Sequence, residues 1–350
     1  MTRNSNPNPH RIGLMGYGKV ASYGHVPAIL DTPELELSAV FDPDPQRLAP
    51  LAERVGASAL CTDVDTFFGK ELDAIVVTSP APRHHENVLA AAERGMTVLC
   101  EKPLAMSAEE AHAMIQACDN AGVRLYVAYC YRFSDVSTTI RRCIAEGLIG
   151  DLKLMRLIYN WDLHGMYVDR DSQRGEIDPR WLGRMLEGGP MVDCGVHQID
   201  LCQVWAQSPI TDVKGVGVWV EDYEYPDQLW GHLTHDNGVH TCVEMSSTNG
   251  HTARTAESNF RYEIRGTRGV IVFDRGENRF ELKNDEGDQA FDMVNEKDFN
   301  GMYRAFAESL STGEIGDMCP ATQGMVNTDI AWQIVDAAMR DQPSNQQPLA

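Results

Sequence analysis

Short apolar runs typical of buried strands alternate, in the first third of the chain, with stretches that have the residue spacing of amphipathic helices. The predicted strands and helices, in chain order, are Arg11–Met15, Leu35–Phe41, Ala74–Thr78, His84–Arg94 (helix), Met96–Cys100, Ser107–Ala121 (helix) and Arg124–Ala128. This alternation predicts an α/β fold with a doubly wound parallel sheet.

The pattern changes in the second part of the chain, where apolar and polar residues alternate along several segments. They predict strands at Leu152–Trp161, Val213–Val220, His240–Ser246, Phe260–Arg265, Val270–Asp274 and Phe280–Lys283. We therefore predict two domains, residues 11–130 and 131–340, with polar tails at residues 1–10 and 341–350. Because such a sheet packs one face on helices, we expect its other face to be apolar and covered by another copy in a homodimer or homotetramer.

Composition narrows the function classes. The net charge of −21 disfavours nucleic acid and anionic lipid as partners, since both repel an acidic surface. No apolar run approaches the roughly 20 residues of a membrane span. The nine cysteines are odd in number and form no C-x-x-C pair, which favours reduced thiols in a cytoplasmic protein. A small molecule is therefore the expected partner.

A glycine-rich turn follows the first predicted strand. Its residues Gly16, Tyr17, Gly18, Lys19 and Val20 lie between that strand and a helical stretch, so the backbone can approach a pyrophosphate at a helix N-terminus. Asp42 ends the second strand, a little over ~20 residues later, where a carboxylate binds ribose hydroxyls. The pattern predicts NAD as cofactor. NADP is the alternative, because Arg47 lies close enough in sequence to reach back to a 2′-phosphate. An ordinary glycine turn is the other alternative, and it fits the further alternation of strands and helices less well.

A lysine stands at a strand end. Glu101, Lys102 and Pro103 directly follow the strand Met96–Cys100. Ligands of open parallel sheets bind beyond the carboxyl ends of the strands, so Lys102 is expected at the cofactor edge. Pro103 restricts the backbone of Lys102 and allows a cis peptide bond. The alternative is a solvated surface lysine, which the flanking glutamate and proline disfavour.

A carboxylate and an imidazole share a predicted helix. Pro190 suits the first turn of a helix that begins after Gly188 and Gly189. On that helix Asp193 and His197 are four residues apart and therefore lie on one face. Such a pair suits general-base catalysis, and a surface ion pair is the alternative.

Taken together, these motifs resemble the glucose-fructose oxidoreductase, inositol dehydrogenase and rhizopine catabolism (Gfo/Idh/MocA) family. The resemblance implies an N-terminal Rossmann domain and a C-terminal α+β domain with a large, mostly antiparallel open sheet. It implies that Lys102, Asp193 and His197 are catalytic. Cys130 departs from the family, which often has Asn there. The matching residues are Gly16-x-Gly18-x-x-Ala21, Ser79-Pro80-x-x-x-His84-x-Glu86, Val98–Leu104, Tyr131-Arg132-Phe133, Trp181, Gly188-Gly189-Pro190-x-x-Asp193-x-Gly195-x-His197-x-x-Asp200 and Tyr262–Gly269.

Further candidates come from these motifs and from their neighbours. Cofactor contacts are expected from Ser79, Pro80, His84, Glu101 and Lys102, and substrate contacts from Tyr131, Arg132, Trp161, His164 and Arg180. The segment from Trp161 to Arg180 is polar and aromatic, and it either covers the substrate or is a plain surface loop. We expect no metal, since the spacing of the histidines 232, 235 and 240 matches no zinc pattern.

The function predicted from these observations is reversible oxidation of a secondary hydroxyl on a sugar, polyol, inositol or related small molecule, by hydride transfer to NAD(P). Two alternatives stay open. One is an NAD-dependent glycoside hydrolase that recycles its cofactor, and the other is a non-catalytic regulator that senses the dinucleotide. The joint presence of Lys102, Asp193 and His197 disfavours the regulator.

Overall fold

The computed structural model describes residues 9–162, 183–185, 187–250, 258–292 and 297–340. The chain forms two compact units. Residues up to 133 and residues 297–326 belong to the first unit, and residues 134–296 and those from 327 onward belong to the second. Our predicted division at residue 130 treats the domains as two consecutive ranges, whereas the fold returns residues 297–326 to the first unit. The predicted tail at residues 1–10 is also one residue too long, because His10 already belongs to a strand.

The first unit contains a seven-stranded sheet in the order β15-β6-β5-β4-β1-β2-β3. All its pairs are parallel except β6 with the short edge strand β15. Every residue of the central strand β4 is buried, as expected when helices cover both faces. The predicted doubly wound sheet is confirmed. The strands are β1 (His10–Met15), β2 (Leu35–Phe41), β3 (Leu60–Cys61), β4 (Ala74–Val77), β5 (Thr97–Cys100), β6 (Leu125–Val127) and β15 (Cys319–Pro320).

Helices of the first unit begin and end at residues suited to those positions. Ser107 Oγ accepts a hydrogen bond from the backbone N–H of Glu110, and Gly122 ends the same helix with a φ of 68°. Asp298 caps a later helix by accepting from the N–H of Gly301. The helices are α1 (Val26–Asp31), α2 (Pro45–Leu48), α3 (Ala52–Val55), α4 (Val64–Phe68), α5 (His84–Ala92), α6 (Ala108–Ala121) and α9 (Phe299–Thr312).

An eight-stranded sheet in the order β14-β13-β12-β11-β7-β10-β9-β8 forms the second unit. Only β7 and β10 pair in parallel, and the other neighbours are antiparallel. The large, mostly antiparallel open sheet implied by the family resemblance is thus confirmed. Its strands are β7 (Leu152–Asn160), β8 (Ile210–Val218), β9 (Gln228–His235), β10 (His240–Ser246), β11 (Asn259–Gly266), β12 (Gly269–Asp274), β13 (Arg279–Asn284) and β14 (Gly287–Ala290).

Helices cover one face of this sheet. They are α7 (Asp135–Ala145), α8 (Val196–Ala206) and α10 (Ala321–Arg340), of which residues 327–340 count with the second unit. Trp205 on α8 is buried and its indole N–H lies 3.2 Å from Ser137 Oγ on α7. Leu229, Leu233 and Val243 are fully buried on the covered face. Apolar burial of this kind contributes about 25 cal/mol per Å² and holds the layers together.

The opposite face of the sheet carries more charge than we expected. Arg156 pairs with Glu244 at 3.0 Å, and Arg261 pairs with Asp274 at 3.1 Å and with Glu263 at 2.7 Å. Half-buried apolar side chains lie among these ion pairs, including Trp230 on β9. The face is therefore a mixture of apolar and paired charged residues, instead of the apolar face that we expected. Within the described ranges, no helix is long and apolar enough to cross a membrane.

Candidate active site

The glycine turn after β1 packs tightly against the end of β4. Gly16 has a φ of 97°, and a Cβ there would lie 2.6 Å from the backbone N and Cα of Ser79. Thr78 Oγ1 donates to the carbonyl oxygen of Gly16 at 2.6 Å. Only glycine fits this conformation and this close approach. The turn therefore brings its backbone to the carboxyl edge of the sheet, as a pyrophosphate-binding loop requires.

Asp42 lies directly after β2, and its carboxylate is buried against the same turn. Oδ2 accepts from the backbone N–H of Tyr17 at 2.9 Å, and Oδ1 accepts from the N–H of Asp44 at 3.0 Å. Each oxygen keeps one further lone pair for a hydroxyl donor. Arg47 does reach back, with Nη1 4.0 Å from Asp42 Oδ2 and Nε 3.5 Å from Asp44 Oδ2.

His84 joins two loops at the sheet edge. Its ring nitrogens lie 2.9 Å from the carbonyl oxygen of Pro103 and 3.0 Å from that of Ser79. Burial lowers the pKa of His84 against the opposing effect of these carbonyl groups. A neutral imidazole has one N–H, so it donates to one of the two carbonyls at a time. Asn87 Nδ2 also donates to Ser79 Oγ at 2.8 Å, which fixes the loop that carries Pro80.

Glu101 and Lys102 leave the sheet at the end of β5. The N–H of Glu101 donates to the carbonyl of Val77, and the N–H of Lys102 donates to Glu101 Oε2 at 3.1 Å. The peptide bond between Lys102 and Pro103 is cis. The pairing of β5 with β4 therefore places Lys102 at the same edge as the glycine turn, where the sequence predicted it.

Residues after β6 add to this edge. Tyr131 is 2% exposed, and Arg132 Nη1 points to the carbonyl of Asp317 at a long 3.4 Å. Lys297 Nζ lies 5.6 Å from the centre of the Tyr131 ring, within the range of a cation–π contact. Burial raises the pKa of Cys130 to about 12, while Lys297 and Lys102 oppose and Glu101 adds to that rise. The sequence analysis did not identify Lys297, because it lies 166 residues after Tyr131 and no motif surrounds it.

In the second unit, two glycines turn the chain into the helix that carries Asp193 and His197. Gly188 and Gly189 have φ values of 102° and 68°, and a Cβ on Gly188 would lie 2.9 Å from the Trp332 ring. A π-helical turn, Met191–Gly195, leads directly into α8. Asp193 and His197 are 9% and 7% exposed. They are therefore largely buried, which argues against the surface ion pair.

Asp193 has a partner that the sequence did not reveal. Arg184 Nη1 lies 3.1 Å from both of its carboxylate oxygens, and Cys194 Sγ lies 3.3 Å from Oδ2. A narrow cleft beside this pair is lined by Trp161, Arg184, Met185, Gly189, Pro190, Asp193 and Ser247. Arg184 thus joins the candidate residues of the second unit.

Trp161 and Asp200 are two further buried residues of the second unit. Trp161 is 5% exposed, stacks on Tyr159 with ring centres 6.3 Å apart, and donates its backbone N–H to Ser246. Asp200 accepts a hydrogen bond from Asn327 Nδ2 at 2.9 Å, which ties α8 to α10. The predicted residues His164 and Arg180, like Trp181 of the family motif, lie outside the described residues.

The histidines considered for a metal have separate contacts. His232 and His240 stack on each other with ring nitrogens 3.4 Å apart. His235 instead contacts the carbonyl of Ser208 and the hydroxyl of Thr241. Burial lowers the pKa of His235 and of His240. In the described segments, no group of His, Cys, Asp and Glu side chains is arranged to hold a metal ion.

The residues at the edge of the first sheet fit a dinucleotide. Gly16 provides a cradle that a Cβ would fill, and Asp42 presents a carboxylate 25 residues after Tyr17. Helical backbone runs from Lys19 onward, so its first N–H groups follow the turn at once. Of the candidate residues, the first unit contains Gly16–Val20, Asp42, Ser79, Pro80, His84, Glu101, Lys102, Tyr131 and Arg132, and the second contains Trp161, Asp193 and His197.

Comparisons with known proteins agree with this assignment. Residues 10–129 match an oxidoreductase family profile with an NAD-binding Rossmann fold, and residues 137–272 match the GFO/IDH/MocA C-terminal domain. The chain is 27% identical to scyllo-inositol 2-dehydrogenase (NAD(+)) of Bacillus subtilis (strain 168), over 75% of this chain and 72% of that protein. It is 30% identical to 1,5-anhydro-D-fructose reductase of Ensifer adhaerens, over 75% of each.

A solved structure shows the same fold. It is an oxidoreductase from Agrobacterium radiobacter in complex with NAD+, L-tartaric acid and magnesium, with a TM-score of 0.79 at 19% identity over 96% of this chain and 98% of that one. Fold and cofactor edge define a nicotinamide-dependent dehydrogenase or reductase. The chain belongs to the GFO/IDH/MocA oxidoreductase family, which confirms the resemblance seen in its motifs.

Proposed function

We propose that this enzyme interconverts a secondary hydroxyl and a ketone on a sugar, inositol or related polyol. The proposal rests on two sets of reactive side chains, one in each unit. Lys102 leaves the cofactor sheet at a strand end, and Asp193 and His197 are buried on one helix behind two glycines. Relatives named as inositol dehydrogenase and anhydrofructose reductase support the substrate class.

Each of the three residues has a distinct role in this proposal. His197 takes the hydroxyl proton as general base. Lys102 donates a hydrogen bond to the same oxygen and stabilises the negative charge that develops there. Asp193 orients the reacting group or His197. The nicotinamide, when bound, accepts or returns the two electrons with the carbon-bound hydrogen.

Arg184 supports Asp193 in this arrangement. Its guanidinium contacts both carboxylate oxygens, which fixes the orientation of the Asp193 carboxylate. A carboxylate that cannot rotate presents its remaining lone pairs in constant directions. We therefore assign Arg184 as a positioning residue, and we retain Trp161, Tyr131 and Arg132 as proposed substrate contacts.

The test is a panel of sugars, inositols and sugar acids assayed for NAD(P)H absorbance with purified wild-type enzyme, Lys102→Met and His197→Asn. Each substitution should lower kcat by about 100-fold or more, the range for loss of general acid–base or electrostatic catalysis. Lys214→Met, at an exposed lysine on β8, is the matched control and should leave kcat unchanged.

The same assay separates the alternatives. Glycoside cleavage without net NADH would indicate the hydrolase, and cofactor binding without any turnover would indicate the regulator. Near-wild-type kcat in Lys102→Met or His197→Asn, with unchanged folding and cofactor binding, would contradict the proposed site.

Three broader proposals accompany this function. The first unit binds the cofactor, and the second binds substrate and carries the surface for self-association. The chain forms a homodimer or homotetramer through the uncovered face of the second sheet, supported by the half-buried Trp230 among ion pairs there. The enzyme acts in the cytoplasm, supported by nine free cysteines, since reduced thiols persist in a reducing compartment.

A further inference from the structure

Three polar side chains form a series of contacts that begins beside Lys102. Glu101 Oε1 lies 2.8 Å from His25 Nε2, and His25 Nδ1 lies 2.7 Å from the hydroxyl oxygen of Tyr303. His25 ends the helical turn that follows the glycine loop, and Tyr303 lies on α9. His25 and Tyr303 are completely buried, and the side chain of Glu101 is 13% exposed. All belong to the first unit.

The positions of the protons follow from counting donors. Burial, and then Glu101, raise the pKa of Tyr303 well above its usual value, so its hydroxyl keeps its proton. If Tyr303 O–H donates to Nδ1 of His25, then Nε2–H donates to the Glu101 carboxylate and every contact is satisfied. In the other tautomer, unprotonated Nε2 would face an ionised oxygen, which is repulsive. With Glu101 ionised, the first arrangement therefore satisfies every contact, whereas the other tautomer would require a protonated Glu101.

The other carboxylate oxygen also has a donor. The backbone N–H of Lys102 donates to Oε2 at 3.1 Å, so an N–H group reaches each oxygen of Glu101. Hydrogen bonds to a charged acceptor are the stronger kind, and two of them fix the carboxylate plane. The geometry thus holds one negative charge in a defined position next to Lys102.

Aromatic packing keeps the imidazole in place. The Phe299 ring meets His25 edge-on, with centres 5.1 Å apart, and a Cβ on the neighbouring Gly24 would lie 2.6 Å from that ring. His25 therefore has little room to rotate away from Glu101. Because Tyr303 is fully buried, the chain of contacts ends in the core instead of leading protons to water. The geometry of these contacts is suited to holding the charge of Glu101 in a fixed position.

We propose that His25 is a positioning residue which, together with Tyr303, holds Glu101 ionised and fixed so that the Lys102 side chain stays an ammonium group. The proposal rests on the proposed function of Lys102, whose hydrogen bond to the reacting oxygen requires that proton. A neighbouring carboxylate favours the charged form of a lysine, and this effect is largest where little water screens it.

Other titratable groups surround Glu101 and Lys102 from every adjoining element. They are His25 on the helical turn, His84 on α5, Cys100 at the end of β5, Cys130 after β6, Lys297 before α9 and Tyr303 on α9. Burial raises the pKa of both cysteines and lowers that of His84, so these three are neutral near pH 7. Lys297 is cationic and opposes the charge on Lys102, so the effect of Glu101 must exceed that of Lys297.

The experiment compares His25→Gln, Tyr303→Phe and Glu101→Gln with wild type by two measurements. The first is the pH dependence of kcat/KM, whose basic limb reports Lys102. The second is the NMR titration of the Lys102 side chain in cofactor-free enzyme labelled with [13Cε]lysine. The chain has seven lysines, so Lys102→Met assigns the signal by its disappearance.

His25→Gln should move the basic limb and the Lys102 titration about one unit toward lower pH, the lower end of shifts caused by a neighbouring charge. Tyr303→Phe should move both in the same direction by less. In a Glu101→Gln background, adding His25→Gln should cause no further shift. His235→Gln is the matched control, a buried histidine of the second unit with two hydrogen-bond contacts, and it should leave both titrations unchanged.

Unchanged titrations in folded His25→Gln would overturn the proposal. If His25→Gln does not fold, Tyr303→Phe decides in the same way, since it removes a single oxygen atom. A further shift in the Glu101→Gln background would also contradict the proposed route through Glu101. If no sugar or polyol is turned over, the proposed function fails on its own, and the NMR titration still decides the role of His25.

Discussion

Arg184 Nη1 lies 3.1 Å from both carboxylate oxygens of Asp193, nine residues along the chain. The side chains are 23% and 10% exposed, so water screens the pair only partly. Arginine keeps its charge over the whole working range of an enzyme. The ion pair therefore persists at any pH at which Asp193 is ionised, and it gives the candidate site of the second unit a fixed carboxylate.

Replacing Arg184 by Met should lower kcat/KM by about tenfold or more, since hydrogen bonds to charged groups are worth about 1.5–3 kcal/mol. The loss should appear mainly in kcat, because Asp193 acts on the reacting groups. Steady-state kinetics with the best substrate of the panel measures it. Arg184→Lys, which keeps the charge but not the planar donor group, should recover only part of the activity. Unchanged kinetics in Arg184→Met would remove Arg184 from the site.

The uncovered sheet face offers a test of self-association. Trp230 on β9 is half-buried there, and neighbouring ion pairs such as Arg156 with Glu244 are worth little individually. Replacing Trp230 by Glu should shift sedimentation toward the monomer by adding a buried charge to the interface. Val64→Glu, at an exposed position of the first unit, is the control. A wild-type monomer at micromolar concentration would contradict the proposed assembly.

Asp73 should make stability depend on acid pH. The Arg11 guanidinium, which donates to Asp73, holds the pKa of that carboxyl below its usual value, against the opposing effect of burial. A lowered folded-state pKa stabilises the protein above the unfolded value of about 3.9, and this stabilisation is lost as pH falls through the folded pKa. Asp73→Asn should therefore lower the urea midpoint at pH 7 but progressively less below pH 4.

The control for this test is the other acidic partner of Arg11. Glu71 contacts the guanidinium at 2.6 Å, but its side chain is 89% exposed. Glu71→Gln should change the midpoint little, because solvent screens an exposed pair. If Asp73→Asn lowered the urea midpoint equally at pH 7 and at pH 3, the charge of the Asp73 carboxylate would not contribute to stability.

The second sheet shows which strands can be predicted from the alternation of polar and apolar residues. The bounds of β10 were predicted at the correct residues, because His240–Ser246 alternates clearly between polar and apolar. Strand β9 was missed. Its core face carries Gly231, where a Cβ would lie 2.5 Å from Ile334 on α10. A glycine that lets a helix approach a sheet removes the apolar signal on which periodicity depends.

The candidate site residues also fall into two groups, those that the sequence indicated and those that it did not. Gly16, Asp42, Lys102 and Asp193 were proposed from the sequence, because each has a defined position relative to a strand or helix. Partners that only the tertiary fold brings near were not found. Arg184 contacts Asp193, nine residues further along the chain, Lys297 contacts Tyr131, and Tyr303 contacts His25 across 278 residues. No local pattern encodes such pairs. The return of residues 297–326 to the first unit was missed for the same reason.

Cofactor preference is the sharpest remaining test at the first unit. Asp42 and Asp44 place two carboxylates where β2 ends, and both pair with Arg47, whose side chain is 54% exposed. A 2′-phosphate brought to this position meets a net negative charge. We therefore expect NAD to bind at least about tenfold more tightly than NADP, since like charges placed together cost several kcal/mol. Dissociation constants from tryptophan fluorescence titration measure the ratio.

Asp42→Ser and Arg47→Gln separate the two contributions. Asp42→Ser should narrow the preference for NAD, because Arg47 no longer has Asp42 as a partner and is available to a 2′-phosphate. Arg47→Gln should widen the preference in wild type, and in the Asp42→Ser background it should reverse most of the narrowing. Thermal unfolding must be followed in parallel, since Asp42 also accepts from the N–H groups of Tyr17 and Asp44. Equal affinity of the wild type for both cofactors, with no change in Asp42→Ser, would mean that Asp42 serves the turn alone.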